Sequence, residues 1–181
     1  QRHNTRPYGH FARREKRSLQ RRFDDVGNDF SISKGSISII TGANMSGKST
    51  FLRTIALNLI LAKNGCRVPA DKFYFNPNLQ IFTSMRTRDD IKGGISYFQS
   101  EIIRLDKAID VALNTPNVIL FLDEVLKGTN SIDKLEGTKK LLSFFVENGI
   151  TTVLATHDID VTSLELSGVK RNYCFEITAE N

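Results

Sequence analysis

The stretch Gly42-Ala43-Asn44-Met45-Ser46-Gly47-Lys48-Ser49 constrains this chain more than any other, because it fits G-x-x-x-x-G-K-[ST]. That pattern works only between a β-strand and an α-helix, and both flanks agree. Residues 35–41 (GSISIIT) are a short β-branched run that reads as a strand. After the loop, Phe51, Leu52, Ile55, Ala56, Leu59 and Ile60 recur at helical spacing, and Asn64-Gly65 supplies a stop. Each position has a physical task. The glycines let backbone N–H groups turn inward toward phosphate oxygens. Lys48 supplies a point charge for the β- and γ-phosphates, and the Ser49 hydroxyl is a hard-oxygen ligand for Mg²⁺. The helix N-terminus adds its positive end.

A phosphate loop needs a carboxylate at the end of a neighbouring strand. Val118-Ile119-Leu120-Phe121-Leu122 is wholly apolar, as a parallel strand covered on both faces should be, and Asp123-Glu124 follow it. Asp123 is the expected partner of Ser49 on Mg²⁺. Glu124 is the expected general base toward an attacking water, which favours hydrolysis over phosphoryl transfer. A second buried strand, residues 151–156, leads into His157 at the strand end where ligands bind in open α/β sheets. His157 is read as a sensor of the γ-phosphate.

The rest of the chain supplies the frame. Residues 67–84 read as short strands and turns around Pro69 and Pro77. A helix is predicted over 96–114, with Phe98, Ile102, Leu105, Ile109 and Leu113 on one face. Another is predicted near 132–147, with Ile132, Leu135, Leu142 and Phe145 inward and a left-handed stop at Asn148-Gly149. A short helix and a last strand near 173–177 close the pattern. Strand–helix alternation predicts an α/β fold, a mostly parallel sheet flanked by helices.

Composition bounds the alternatives. The chain has 181 residues, the length of one domain, and its 40% hydrophobic and 25% charged residues are ordinary for a globular protein. No apolar run approaches the ~20 residues that span a bilayer, so no membrane association is expected and the cytoplasm is the expected location. Cys66 and Cys174 form no CxxC pair and read as reduced thiols; His3, His10 and His157 do not cluster as zinc ligands. The net charge of +5 is local. Residues 1–22 hold seven Arg, one Lys and one Glu, a balance of +7, which leaves −2 for the remainder. Residues 1–27 are therefore expected to be a basic, largely irregular segment: a solvated tail or linker, or alternatively an arm for nucleic-acid phosphates. Residues 28–181 are expected to form the nucleotide-binding domain, as a piece of a longer protein that stops short of a C-terminal segment.

Thr41 to Thr50 resembles the phosphate loop of the MutS family of DNA mismatch-repair proteins, and Asn44-Met45 inside the loop is the discriminating part. Phe51-Leu52-Arg53 continues the likeness. Asn28-Asp29, the segment Asp89-Asp90-Ile91 with Gly94, Ser96-Tyr97-Phe98 and Glu101, then Asp123-Glu124 with Lys127-Gly128-Thr129-Asn130-Ser131, and Ala155-Thr156-His157-Asp158 follow in the family's order. The resemblance spans residues 26–177 and implies an ABC-ATPase-type P-loop domain that binds ATP or ADP with Mg²⁺ and hydrolyses ATP. It implies nucleotide contacts from Gly42, Ala43, Asn44, Met45, Ser46, Gly47, Lys48, Ser49 and Thr50, with Val26 against the adenine. It implies catalytic parts for Lys48, Glu124 and His157, and metal ligation by Ser49 and Asp123. Ser96 would act in trans on the nucleotide of a partner in a homodimer, and DNA would be handled by domains outside this chain. By spacing alone, Ser96 and Gln99 form a capping box, so Ser96 is equally a helix cap.

Departures point to a MutS-like side branch. Ala43 stands where the family usually has Pro, Val125-Leu126-Lys127 replaces a Leu-Gly-Arg type turn, and Asn130-Ser131 replaces Ser-Thr. Three alternatives remain: another ABC-type ATPase, which should carry an LSGGQ-like signature that this sequence lacks; a nucleotide-dependent dimerisation switch with little turnover; and a DNA-binding module resting on residues 1–22. An isolated chain is expected to hydrolyse ATP slowly.

Overall fold

The computed structural model describes residues 27–85, 97–166 and 168–176. Residues 27–31 are irregular and fall in a unit of their own. The remainder alternates strand and helix: β1 (Ile37–Gly42), α1 (Lys48–Lys63), β2 (Gln80–Ser84), α2 (Tyr97–Asn114), β3 (Val118–Asp123), α3 (Ser131–Glu147), β4 (Thr151–Ala155), a 3₁₀ turn η1 (Ile159–Ser163) and β5 (Lys170–Phe175). The five strands form one parallel sheet in the order β2-β3-β4-β1-β5. The expected α/β class with a parallel sheet flanked by helices is therefore the observed one.

The central strands are covered on both faces: β3 is apolar from Val118 to Leu122, while β1 and β4 carry small buried hydroxyl residues, Ser38, Thr41, Thr151 and Thr152, among their apolar ones. Ile37, Ile39 and Ile40 of β1, Leu120 to Leu122 of β3 and Val153 to Ala155 of β4 are shut off from solvent. Leu142 and Phe145 of α3 and Leu52, Ala56 and Leu59 of α1 close over the sheet. The turn chemistry at the end of α3 also follows the sequence. Gly149 has φ +64°, and Ile150 and Gly149 return hydrogen bonds to Phe145 and Val146 carbonyls at 2.8 and 3.0 Å.

Three expectations are corrected. Residues 67–84 contain one strand among the described residues, Gln80–Ser84, instead of several; the rest, around Pro69 and Pro77, is irregular apart from a turn at 77–78. The face of α2 against the sheet is rotated from the large apolar stripe. Leu105, Ala108 and Ala112 are buried together with Glu101, whereas Phe98, Ile102 and Leu113 are exposed. Alanines let α2 lie close to β2 and β3, so its larger side chains are displaced to the flank. Ile132 is not inward: it is 79% exposed on the first turn of α3, ahead of the point where that helix reaches the core.

That first turn is fixed by Asn130, whose side chain accepts a hydrogen bond from the Asp133 N–H at 3.0 Å. Asn130→Ala should lower unfolding stability by ~1 kcal/mol, the usual value of an N-cap, read as a shift in thermal midpoint.

Candidate functional site

The C-terminal ends of β1, β3 and β4 lie side by side, and each delivers one part of the site. The first is the 42–49 loop. Gly42 has φ +146°, and a Cβ placed there would stand 2.3 Å from the Phe175 carbonyl oxygen, so only glycine lets β1 run this close to β5 before turning. Gly47, at φ +95°, hands the chain into α1, whose first turn carries no side-chain cap. The orphan N–H groups of that turn are thus available to an anion. Ala43, Asn44 and Thr50 are exposed, and Met45 is 98% exposed with φ +66°. The Ser46 hydroxyl is enclosed in the loop without a hydrogen-bond partner.

Lys48 folds back into this loop. It is buried, and its ammonium donates to the Gly42 and Ala43 carbonyls at 2.8 and 2.6 Å. Burial lowers its pKa, and the nearby Asp123 carboxylate opposes that shift. The ammonium thus sits in the concavity that the loop forms, held by acceptors an incoming phosphate would replace.

The second part is Asp123, at the end of β3. Ser49 Oγ donates to Asp123 Oδ1 at 2.8 Å, joining α1 to β3 across the site. Arg53 stands 3.9 Å from the other oxygen. Two hard oxygen donors this close suit Mg²⁺, which takes few protein ligands and completes its shell with water and phosphate. No trio of His, Cys, Asp or Glu among the described residues is grouped to hold a metal ion.

The third part joins β3 to β4. Glu124 has φ +56°, and its N–H donates to the Ala155 carbonyl at 2.8 Å, which turns the side chain toward the end of β4. There His157 Nδ1 lies 2.6 Å from Glu124 Oε1, and the Lys127 ammonium contacts the other oxygen. An ionised carboxylate only accepts, so Nδ1 carries the proton in this contact. Burial, then the Lys134 and Lys127 ammonium groups, holds the imidazole pKa below its ordinary value; Asp158 opposes this and Lys48 adds to it. The Glu124 carboxylate, in contact with the ring, favours the imidazolium and works against that shift.

Sequence reasoning named Lys48, Ser49, Asp123, Glu124 and His157, and the structure brings these five together. It places His157 directly on Glu124. Val26 and Ser96 lie outside the described residues. Two neighbours of the site, Lys127 and Glu101, were named in matching motifs but given no part in it: Lys127 contacts Glu124, and the Glu101 carboxylate accepts the Lys127 N–H at 2.9 Å. Buried acid on a helix was the available signal for Glu101, but burial is not visible in one sequence. Beside the loop lies an open cleft of about 810 Å³, bordered by Asn44, His157, Ile159, Tyr173 and Phe175, within the size range of small-ligand sites.

A parallel sheet with a glycine-bounded loop, a buried lysine and a strand-end carboxylate defines an α/β domain of the P-loop type. Within that class the chain belongs to the MutS family: its residues 38–181 match the family described as MutS domain V. It is 38% identical over 147 residues to a DNA mismatch repair protein MutS of Caldicellulosiruptor saccharolyticus, an alignment covering 78% of this chain and 17% of that protein. It is 39% identical over 142 residues to that of Bacillus licheniformis (77% and 16%), and 37% identical over 128 residues to that of Lysinibacillus sphaericus (70% and 15%). The chain thus spans about a sixth of the length of these relatives. Among the described residues no helix is long and apolar enough to cross a membrane.

Proposed function

We propose that this chain is an ABC-ATPase-type module that binds Mg-ATP and hydrolyses it by in-line attack of water, as part of a MutS-like protein that handles DNA through other domains. The observation that carries this reading is the convergence of Lys48, the Ser49–Asp123 pair and the Glu124–His157 pair at three adjacent strand ends.

The loop amides and Lys48 hold the β- and γ-phosphates once the ammonium exchanges its carbonyl partners for phosphate oxygens. Ser49 and Asp123 hold Mg²⁺, which when bound neutralises charge on those phosphates. Glu124 orients the attacking water and takes its proton. His157 keeps Glu124 aimed with Nδ1–H on the carboxylate and, when protonated, offers Nε2–H as a donor to the γ-phosphate side. Asn44, Met45, Ser46 and Thr50 line the phosphate path, and Val26 is the proposed adenine contact. Ser96 of a second copy completes the site in a homodimer. The domain begins near residue 28 and residues 1–27 form a basic lead-in. The cytoplasm is the proposed location, and the proposed parent protein is a MutS-like side branch, a reading supported by Ala43 and the Lys127 turn.

A nucleotide-dependent dimerisation switch is the second reading. It is favoured by one observation: both oxygens of Glu124 are engaged, by His157 and by Lys127, before any nucleotide arrives. Phosphate release from Mg-ATP, measured across a range of chain concentrations, separates the two. Hydrolysis predicts turnover that vanishes with EDTA and whose specific rate climbs with concentration as the partner's Ser96 is recruited. ATP-driven dimerisation with no Mg-dependent turnover would leave only the switch.

A further inference from the structure

The loop between β3 and α3 carries the proposed base on an unusual backbone. Glu124 and Leu126 both have φ +56° without being glycine. Such residues persist only where their surroundings fix them. One end is fixed by the Glu124 N–H on Ala155. The other is fixed by α2. Glu101, on the second turn of that helix, is only 6% exposed, yet its carboxylate faces this loop and accepts the Lys127 N–H at 2.9 Å. The next loop residue presses on the same helix: a Cβ at Gly128 would meet Phe98 Cβ at 2.8 Å, so the backbone there is in contact with the first turn of α2. The Lys127 side chain returns from this anchored backbone to Glu124. Glu101, Asp123 and Glu124 also line one small cavity of about 20 Å³, room for about a single water.

We infer that Glu101 is a positioning residue for Glu124: by anchoring the Lys127 backbone it sets where the Lys127 ammonium holds the base, and it ties that placement to the N-terminal end of α2. The inference rests on the ATPase reading. A carboxylate suits the task, since a hydrogen bond from N–H to an ionised acceptor is stronger than to a neutral one. It also gives a physical sense to Lys127: its side chain, starting from an anchored backbone, reaches the Glu124 oxygen that His157 does not contact. Movement of the first turns of α2 then reaches the base through one hydrogen bond and one close contact.

The test is steady-state and single-turnover hydrolysis of Mg-ATP by the full chain, beside nucleotide binding and thermal unfolding. Glu101→Met keeps side-chain volume and removes the acceptor. It should lower kcat ~10–100-fold, the usual cost of misplacing a reacting group, with ATP affinity retained. Glu101→Gln keeps an acceptor oxygen for the Lys127 N–H and should recover most of the lost rate, a rescue that a merely space-filling role would not show. Gly128→Ala pushes the loop off Phe98 and should lower kcat with affinity retained, which decides the matter if Glu101→Met does not fold. If the unsubstituted chain hydrolyses ATP and Glu124→Gln does not, an unchanged kcat in Glu101→Met, or in Gly128→Ala where only that variant folds, overturns this proposal alone. Equal loss of ATP binding in Glu101→Met overturns it too. An unsubstituted chain with no Mg-dependent turnover overturns the ATPase reading and this proposal with it.

Discussion

Glu124→Gln should reduce kcat for Mg-ATP hydrolysis by ~10²–10⁴-fold, the contribution typical of a positioned general base, with ATP affinity held. The substitution changes one atom and one charge, and the site can absorb both. Glu124 now meets His157 Nδ1 at 2.6 Å and Lys127 on its other oxygen. In the variant the amide oxygen still accepts from Lys127. The amide NH₂ then faces Nδ1, which a neutral imidazole accommodates by moving its proton to Nε2. Burial, which holds the His157 pKa below its ordinary value, keeps that neutral ring within reach. The geometry is preserved while the proton acceptor is lost, so the rate should fall without the pocket coming apart. Single-turnover phosphate release with excess protein reads the chemical step, and a fluorescent ATP analogue reads binding. Undiminished single-turnover release would remove Glu124 from the reaction. If the base alone is missing, ATP-bound protein should accumulate, and any nucleotide-driven dimer should persist longer than with the unsubstituted chain.

What the sequence made legible follows from where the physics is local. β1, β3 and β4 are buried on both faces, so each is rich in apolar or β-branched residues and β3 is an unbroken apolar run up to Asp123; the strand–loop–helix order around Lys48 follows from the loop pattern and its two flanks. Asp123 is readable because it ends such a run. The pairing of Glu124 with His157 is not local: they lie 33 residues apart and meet because β4 sits beside β3 in the sheet. Strand order is a property of the whole packing, and neither residue signals it. The inward placement of Glu101 was hidden for a related reason. A helix with Phe98, Ile102 and Leu113 in one stripe invites that stripe to be the inner face, whereas the small Ala108 and Ala112 take the sheet and carry Glu101 inward with them. Periodicity reports which residues share a face; it does not report which face wins when close approach of small residues competes with burial of large ones.

Lys48→Met is the second change with a large expected effect. Methionine keeps most of the length and packing of the lysine stem and removes the charge. A hydrogen bond to a charged partner is worth ~1.5–3 kcal/mol, so the Kd for Mg-ATP should rise ~10–100-fold. The loss for ADP should be smaller, since fewer phosphate charges remain to be met. The present geometry adds a refinement. The ammonium is not waiting in solvent; it is bonded to the Gly42 and Ala43 carbonyls and is buried. Nucleotide must displace those bonds, so part of what the lysine gives to phosphate is offset in the bound ground state. As charge builds on the phosphoryl oxygens the exchange becomes more favourable, and that part reappears in the transition state. Lys48→Met should therefore lower kcat as well as affinity, and the drop in kcat/KM should exceed the rise in Kd. Titration calorimetry with ATP and ADP, set beside kcat/KM, measures both sides of that comparison. Equal losses would mean that the lysine serves binding alone, and that its bonds to the loop carbonyls do not offset its contribution before the reaction begins.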